Sequence, residues 1–219
     1  MFDLHFMLST VPVILKAMGT TLWVTVVSSL GAAILGFGFE MMRRCCGWVL
    51  SSTMRFLIDC IRSTPILVQI YFFYFVLPHY GITLPAMVVG VFCLSLYYSG
   101  YLAEVFKAGI DSLPRGQFEA AQALGLGVWD TTMRVISPQM LRAVAAPMGN
   151  YFVSLLKATP YLAVISVPEM FGAALDIGSE TFRYPEPMIA VGVIFLALAI
   201  VIAQAVRWLE LRLLASHKH

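Results

Sequence analysis

Residues 113–147 are LPRGQFEAAQALGLGVWDTTMRVISPQMLRAVAAP. Glu119-Ala120-Ala121 opens a segment stocked with Ala, Leu and Gln, all good helix formers. Gly125 and Gly127 follow, and glycine is the common residue just past a helix C-terminus. A second polar helical stretch, about 128–135, is predicted to stop near Pro138, which has no N–H to continue a helix. The segment is too polar to cross a bilayer and too rich in helix formers to be disordered. It predicts a short helix, a glycine turn and a second short helix within residues 113–142.

On both sides of this segment the chain is apolar. Hydrophobic residues make up 60% of the 219 and charged residues 12%, against roughly 25% charged in a soluble domain. The length allows one domain, residues 1–219, and the composition predicts an all-α integral membrane protein. A spanning helix needs about 20 mostly apolar residues. Five stretches qualify: 11–39, 53–77, 85–106, 143–168 and 187–209. In the second, the apolar part after Pro65 is too short to span alone. That helix is therefore predicted to begin before Arg62, leaving Asp59 and Arg62 near one interface. Residues 78–84 predict a tight turn, and residues 171–186 a polar outer loop carrying Asp176, Glu180, Arg183 and Glu186. The N-terminus lacks a basic region and its apolar stretch is too long for a cleavable signal peptide.

Cations orient the spans, because Lys and Arg are retained on the cytoplasmic side. With five spans, one face holds eleven of them: Arg43, Arg44, Arg55, Arg62, Lys107, Arg115, Arg134, Arg142, Arg207, Arg212 and Lys218. The other holds Lys16 and Arg183, and Lys157 falls inside the fourth span. This asymmetry predicts an N-terminus outside and a C-terminus in the cytoplasm, with residues 113–142 on the cytoplasmic face.

Ionisable residues within a bilayer are costly and face a cavity or a partner. On a helix, Asn150, Ser154, Lys157 and Tyr161 share one face of the fourth span, and Tyr97, Tyr101 and Glu104 share one face of the third. Gln69 sits away from the ends of the second. Pro160 is predicted to free a carbonyl just after Lys157. These residues make a candidate translocation path of Gln69, Tyr97, Tyr101, Asn150, Ser154, Lys157 and Thr159. Lys157 either attracts a carboxylate or pairs with Glu104 or another acid, and Glu104 is within reach of Lys107. Gly31, Gly36 and Gly38 are expected to let the first span pack closely on a neighbour.

No GxxxxGK[ST] phosphate loop is present, so the chain is not itself an ATPase of that type, and GxSxG, HExxH and CxxC motifs are absent. Cys45, Cys46, Cys60 and Cys93 show no metal-ligand spacing and read as free thiols. No enzyme site is expected.

The register Glu119-Ala120-Ala121, Gly125, Pro138 resembles the EAA loop of ABC-importer permeases, with Ser137 where that family has Leu. Arg62-Ser63-Thr64-Pro65 with Ile66 to Gln69, and Leu156 to Pro160 with Ala158 for an Asp, are similar to segments of the polar amino acid group, which includes histidine, glutamine, opine and ectoine permeases. Tyr101 to Glu104, Ala108-Gly109-Ile110 and Glu169-Met170 extend the likeness along the chain. The resemblance implies a type I importer permease in a bacterial inner membrane. It further implies that Glu119, Ala120, Ala121, Gly125 and Pro138 couple the chain to a cytoplasmic ABC ATPase dimer that binds ATP and Mg, with no cofactor on this chain. A second permease subunit, identical or sister, would share the path, and a periplasmic or extracellular solute-binding protein would deliver the solute at the outer loop. Membrane lipid is a further partner and nucleic acid is not. The rival is an ion-coupled secondary transporter, but such folds usually carry inverted repeats and none is seen here.

Overall fold

The computed structural model describes residues 2–215, which contain helices and no strands. Lys218, counted above among the cytoplasmic cations, lies outside the described residues. Helix α1 (Leu4–Cys45) starts at Asp3, whose carboxylate accepts the Phe6 N–H, and ends on Arg43 and Arg44. Helix α2 (Trp48–Ser63) and helix α3 (Ile66–Tyr71) follow, and α3 continues through a π-turn at Phe72–Val76 and a 3-10 turn at Leu77–Tyr80. Then come α4 (Ala86–Asp111), α5 (Arg115–Ala123), α6 (Val128–Asp130), a π-turn at Thr131–Ile136, α7 (Ser137–Ala158), a 3-10 turn at Thr159–Ile165, α8 (Met170–Thr181) and α9 (Pro185–Ala215).

Among the described residues, α1, α4 and α9 are long and apolar enough to cross a membrane, and two bent pairs raise the possible spans to five. The two bent pairs differ from the sequence expectation. The second candidate is no continuous helix, because α2 and α3 meet at 99° around Thr64-Pro65. Pro65 donates no N–H, and its ring drives the residue before it out of the helical region. Thr64 accordingly takes extended angles. Arg62 lies beside α4 rather than beyond its end. Its side chain packs on Gly100 of α4, eleven positions before Asp111, or roughly 16 Å along the helix axis.

The fourth candidate also starts earlier than expected, and its helix runs through Pro138 instead of stopping there. The backbone widens to π register just before the proline, so that Ser137 N–H reaches the Thr132 carbonyl. The Gln139 amide then donates to the Val135 carbonyl at 2.9 Å. Further on, the predicted polar outer loop is mostly helix α8, bent 42° from the preceding segment. Its first N–H groups have no water to turn to inside a membrane. Met170 N–H donates to the Thr21 hydroxyl, and Phe171 and Gly172 N–H donate to the fully buried carboxylate of Glu169.

The main core lies between α1, α4 and α7, with Val24 and Ala32 against Leu94 and Leu102, and Met140, Val144 and Leu155 closing the third side. A Cβ built on Gly36 would lie 2.8 Å from the Ser99 carbonyl oxygen, so glycine there sets the α1–α4 distance. Gly31 serves the same contact at Ser95, whereas Gly38 faces open space and not a neighbouring helix. A smaller core of Ile14, Met170, Ala174, Ala190 and Val191 joins α1, α8 and α9.

Candidate functional site

The site has two parts, a polar seam in the apolar body and the surface helix α5. In the seam, Tyr97 and Tyr101 lie one turn apart on α4 with hydroxyls 3.1 Å from each other. Tyr101 donates to the Arg62 carbonyl at 3.4 Å, and the Arg62 guanidinium lies 5.3 Å from the Tyr101 ring centre. From α7, Tyr151 brings its ring to 5.7 Å from that of Tyr101, and Ser154 exchanges a hydrogen bond with Tyr98 at 3.2 Å. Four tyrosines from two helices thus converge on one place. Tyr98, Tyr151 and Arg62 were not among the predicted path residues. Helical spacing relates residues of one helix only, and this cluster forms between helices.

Asn150, Ser154, Lys157 and Tyr161 are all exposed on the outer face of α7 and the turn after it. Lys157 makes no ion pair among the described residues. Glu104 pairs with Arg43 of α1 at 2.6 Å, and not with Lys157 or Lys107.

Two predicted lining residues sit in the interior instead. Gln69 is buried, and its amide donates to the carbonyls of Ile61 and Thr64 at 2.9 and 3.2 Å, bracing the break at Pro65. Thr159 is fully buried, and its hydroxyl donates at 2.9 Å to the Leu156 carbonyl, which also accepts the Thr159 N–H in place of the i+4 bond that Pro160 cannot make.

A cleft of about 400 Å³ runs from Arg62, Tyr101 and Tyr151 along α4 past Glu104 to Ser112, just before α5. Beside it, at the same end of the molecule, the fully buried Glu40 binds both Arg43 and Arg44, and Arg44 reaches on to Asp111.

Helix α5 carries Glu119, Ala120 and Ala121. Ala121 is buried against the body, while Glu119 and Ala120 are exposed. The helix ends in a complete Schellman turn. Gly125 takes φ 75°, its N–H donates to the Gln122 carbonyl at 2.9 Å, and Leu126 N–H donates to the Ala121 carbonyl at 3.1 Å. Leu124, Val128 and Trp129 remain widely exposed around this turn. The Gln139 amide donates to Gln117 at 2.9 Å, tying α5 to the start of α7, where Pro138 is exposed.

Residues 32–215 match the family of binding-protein-dependent transport system inner membrane components. The chain is 38% identical over 211 residues to the "Probable amino-acid ABC transporter permease protein y4tG" of Sinorhizobium fredii, covering 96% of this chain and 91% of that one. It is 31% identical over 214 residues to the glutamine transport system permease protein GlnP of Escherichia coli, covering 97% and 98%. A solved structure described as an amino acid ABC transporter with histidines superposes with a TM-score of 0.88 at 29% identity, covering 97% of this chain and 99% of that one. The MetNI methionine ABC transporter, at 15% identity and a TM-score of 0.78, shares the fold.

Proposed function

Since the chain belongs to the binding-protein-dependent transport system inner membrane components, the permease subunits of ABC importers, we propose that it admits a polar amino acid or amino-acid-like solute across a bacterial inner membrane. Nothing favours the ion-coupled alternative. The observation that carries the reading is the row Asn150, Ser154, Lys157, Tyr161, a polar and cationic stripe left uncovered on an otherwise apolar body. Hydrocarbon is a poor neighbour for such a row. A second permease subunit, identical or sister, meets it there and the solute passes between the two, with the tyrosine cluster behind the stripe.

The orientation follows from the cation asymmetry, with the N-terminus outside and α5 in the cytoplasm. There α5 seats in an ABC ATPase dimer through Glu119, Ala120 and the exposed Leu124 and Trp129, and the Schellman turn at Gly125 keeps its end rigid. ATP and Mg bind the ATPase, and this chain performs no hydrolysis. ATP-driven closure of the ATPase pair draws the two α5 helices together and turns the path from inward-open to outward-open. A solute-binding protein delivers its load on the outer face, where α8 offers Asp176 and Glu180.

The test is uptake by Lys157→Met in reconstituted importer. Loss of transport with the ATPase still co-purifying is the expected result. Normal transport by that variant removes Lys157 from the path, and a chain that never brings down an ATPase under gentle extraction sinks the importer assignment.

A further inference from the structure

Arg62 is an anomaly. It is half-buried, packed on Gly100 and Tyr101, yet it has no carboxylate within 4 Å among the described residues. Its Nε is buried without a hydrogen-bond partner. A guanidinium with a buried, unsatisfied N–H normally finds an acceptor. The one acid lining the same cleft is Glu104, and Glu104 is committed to Arg43, which itself shares the buried Glu40. That leaves Arg62, which feels the Glu104 charge only at a distance, without a direct ion pair at one end of a cleft of about 400 Å³. Lys157, the cation singled out from the sequence, is not among the residues lining it.

We infer that Arg62 is a carboxylate-binding subsite, where the carboxylate of a small solute docks beside the Tyr101 and Tyr151 rings that line the cleft. The guanidinium fork suits a carboxylate, which takes two parallel N–H bonds that a lysine cannot match. The tyrosine rings supply a wall that tolerates varied side chains. The cleft ends beside Ser112, one turn before α5, so release from Arg62 lies next to the element that moves with the ATPase. This inference rests on reading the cleft as part of the solute path.

The test needs no transport. The assembled permease–ATPase complex is treated with the arginine reagent phenylglyoxal, and modification at Arg62 is followed by peptide mass spectrometry. The added probes are sodium acetate, glycine, glycinamide and sodium chloride. Acetate and glycine at about ten times their Kd should slow modification of Arg62 about tenfold, while glycinamide and chloride leave it unchanged. Equal protection by all four, or by none, overturns the subsite. An Arg62 that is unreactive in the complex before any probe is added also overturns it, because a carboxylate of the partner subunit then holds the group.

In transport, Arg62→Gln should lower uptake roughly 10- to 100-fold with binding-protein-stimulated ATP hydrolysis retained, and Arg62→Lys should recover part of it. Full uptake by Arg62→Gln overturns the inference. Protection of Arg62 by glycine in a complex that moves none of the twenty L-amino acids would keep the subsite and refute the proposed solute class.

Discussion

Arg43 of α1 donates to Glu104 of α4 at 2.6 Å, and the same guanidinium is held from behind by the fully buried Glu40. Arg44 adds a second strut, from Glu40 to Asp111 at the end of α4. The two helices are thereby clamped just before the chain enters α5.

Removing the acid at the centre of that clamp should be costly. Glu40→Ala leaves two arginines without their buried partner, and breaking a buried pair typically costs about 3–5 kcal/mol. Thermal unfolding in detergent checks this. A variant as stable as the parent would mean that the arginines relax into water and that the clamp is ornamental.

The Schellman turn after α5 predicts a different outcome at Gly125. Its φ of 75° disfavours every residue with a Cβ, β-branched ones most. Gly125→Val should strain the turn by about 1–2 kcal/mol and reorient Leu124 and Trp129. ATPase co-purification should fall sharply while the melting point of the permease drops by only a few degrees. Undiminished co-purification would argue against this turn as part of the docking surface.

At Gly36 the demand is steric. With a Cβ position only 2.8 Å from the Ser99 carbonyl, Gly36→Val must push α1 off α4, at a cost of about 1–3 kcal/mol as in other overpacked sites. Gly38→Val, with open space around it, is the internal control. Similar melting points for the two variants would refute the close-approach account.

Gln69 is a path candidate by sequence, and in the structure its amide braces the break at Pro65. Gln69→Leu should lose a buried hydrogen bond to the Ile61 carbonyl and a part-buried one to the Thr64 carbonyl, worth about 1 kcal/mol each. Stability should drop and solute selectivity should stay as it was. A change in selectivity with unaltered stability would return Gln69 to the path.

The all-helical membrane character, the position of α5 and its glycine turn, and the shared face of Tyr97 with Tyr101 were legible in the chain. Each depends on composition or on spacing along one helix, which is local information. The second span misled for a related reason. Its apolar count fits a single helix, but Pro65 places a 99° break inside it, and the backbone groups exposed there are satisfied by Gln69 across the bend. Helix α8 was read as a loop because its polar residues look solvent-bound. Burial of Glu169 and the Thr21 hydroxyl, which is 149 residues away in sequence, made it a helix. What only the tertiary structure decided is which side chains meet between helices: Arg62 with Tyr101, Tyr98 with Ser154, Arg43 with Glu104. No periodicity encodes those pairings, because they depend on how closely α1, α2 and α7 approach α4, and that distance is set by Gly36, Gly100 and the packed side chains around them.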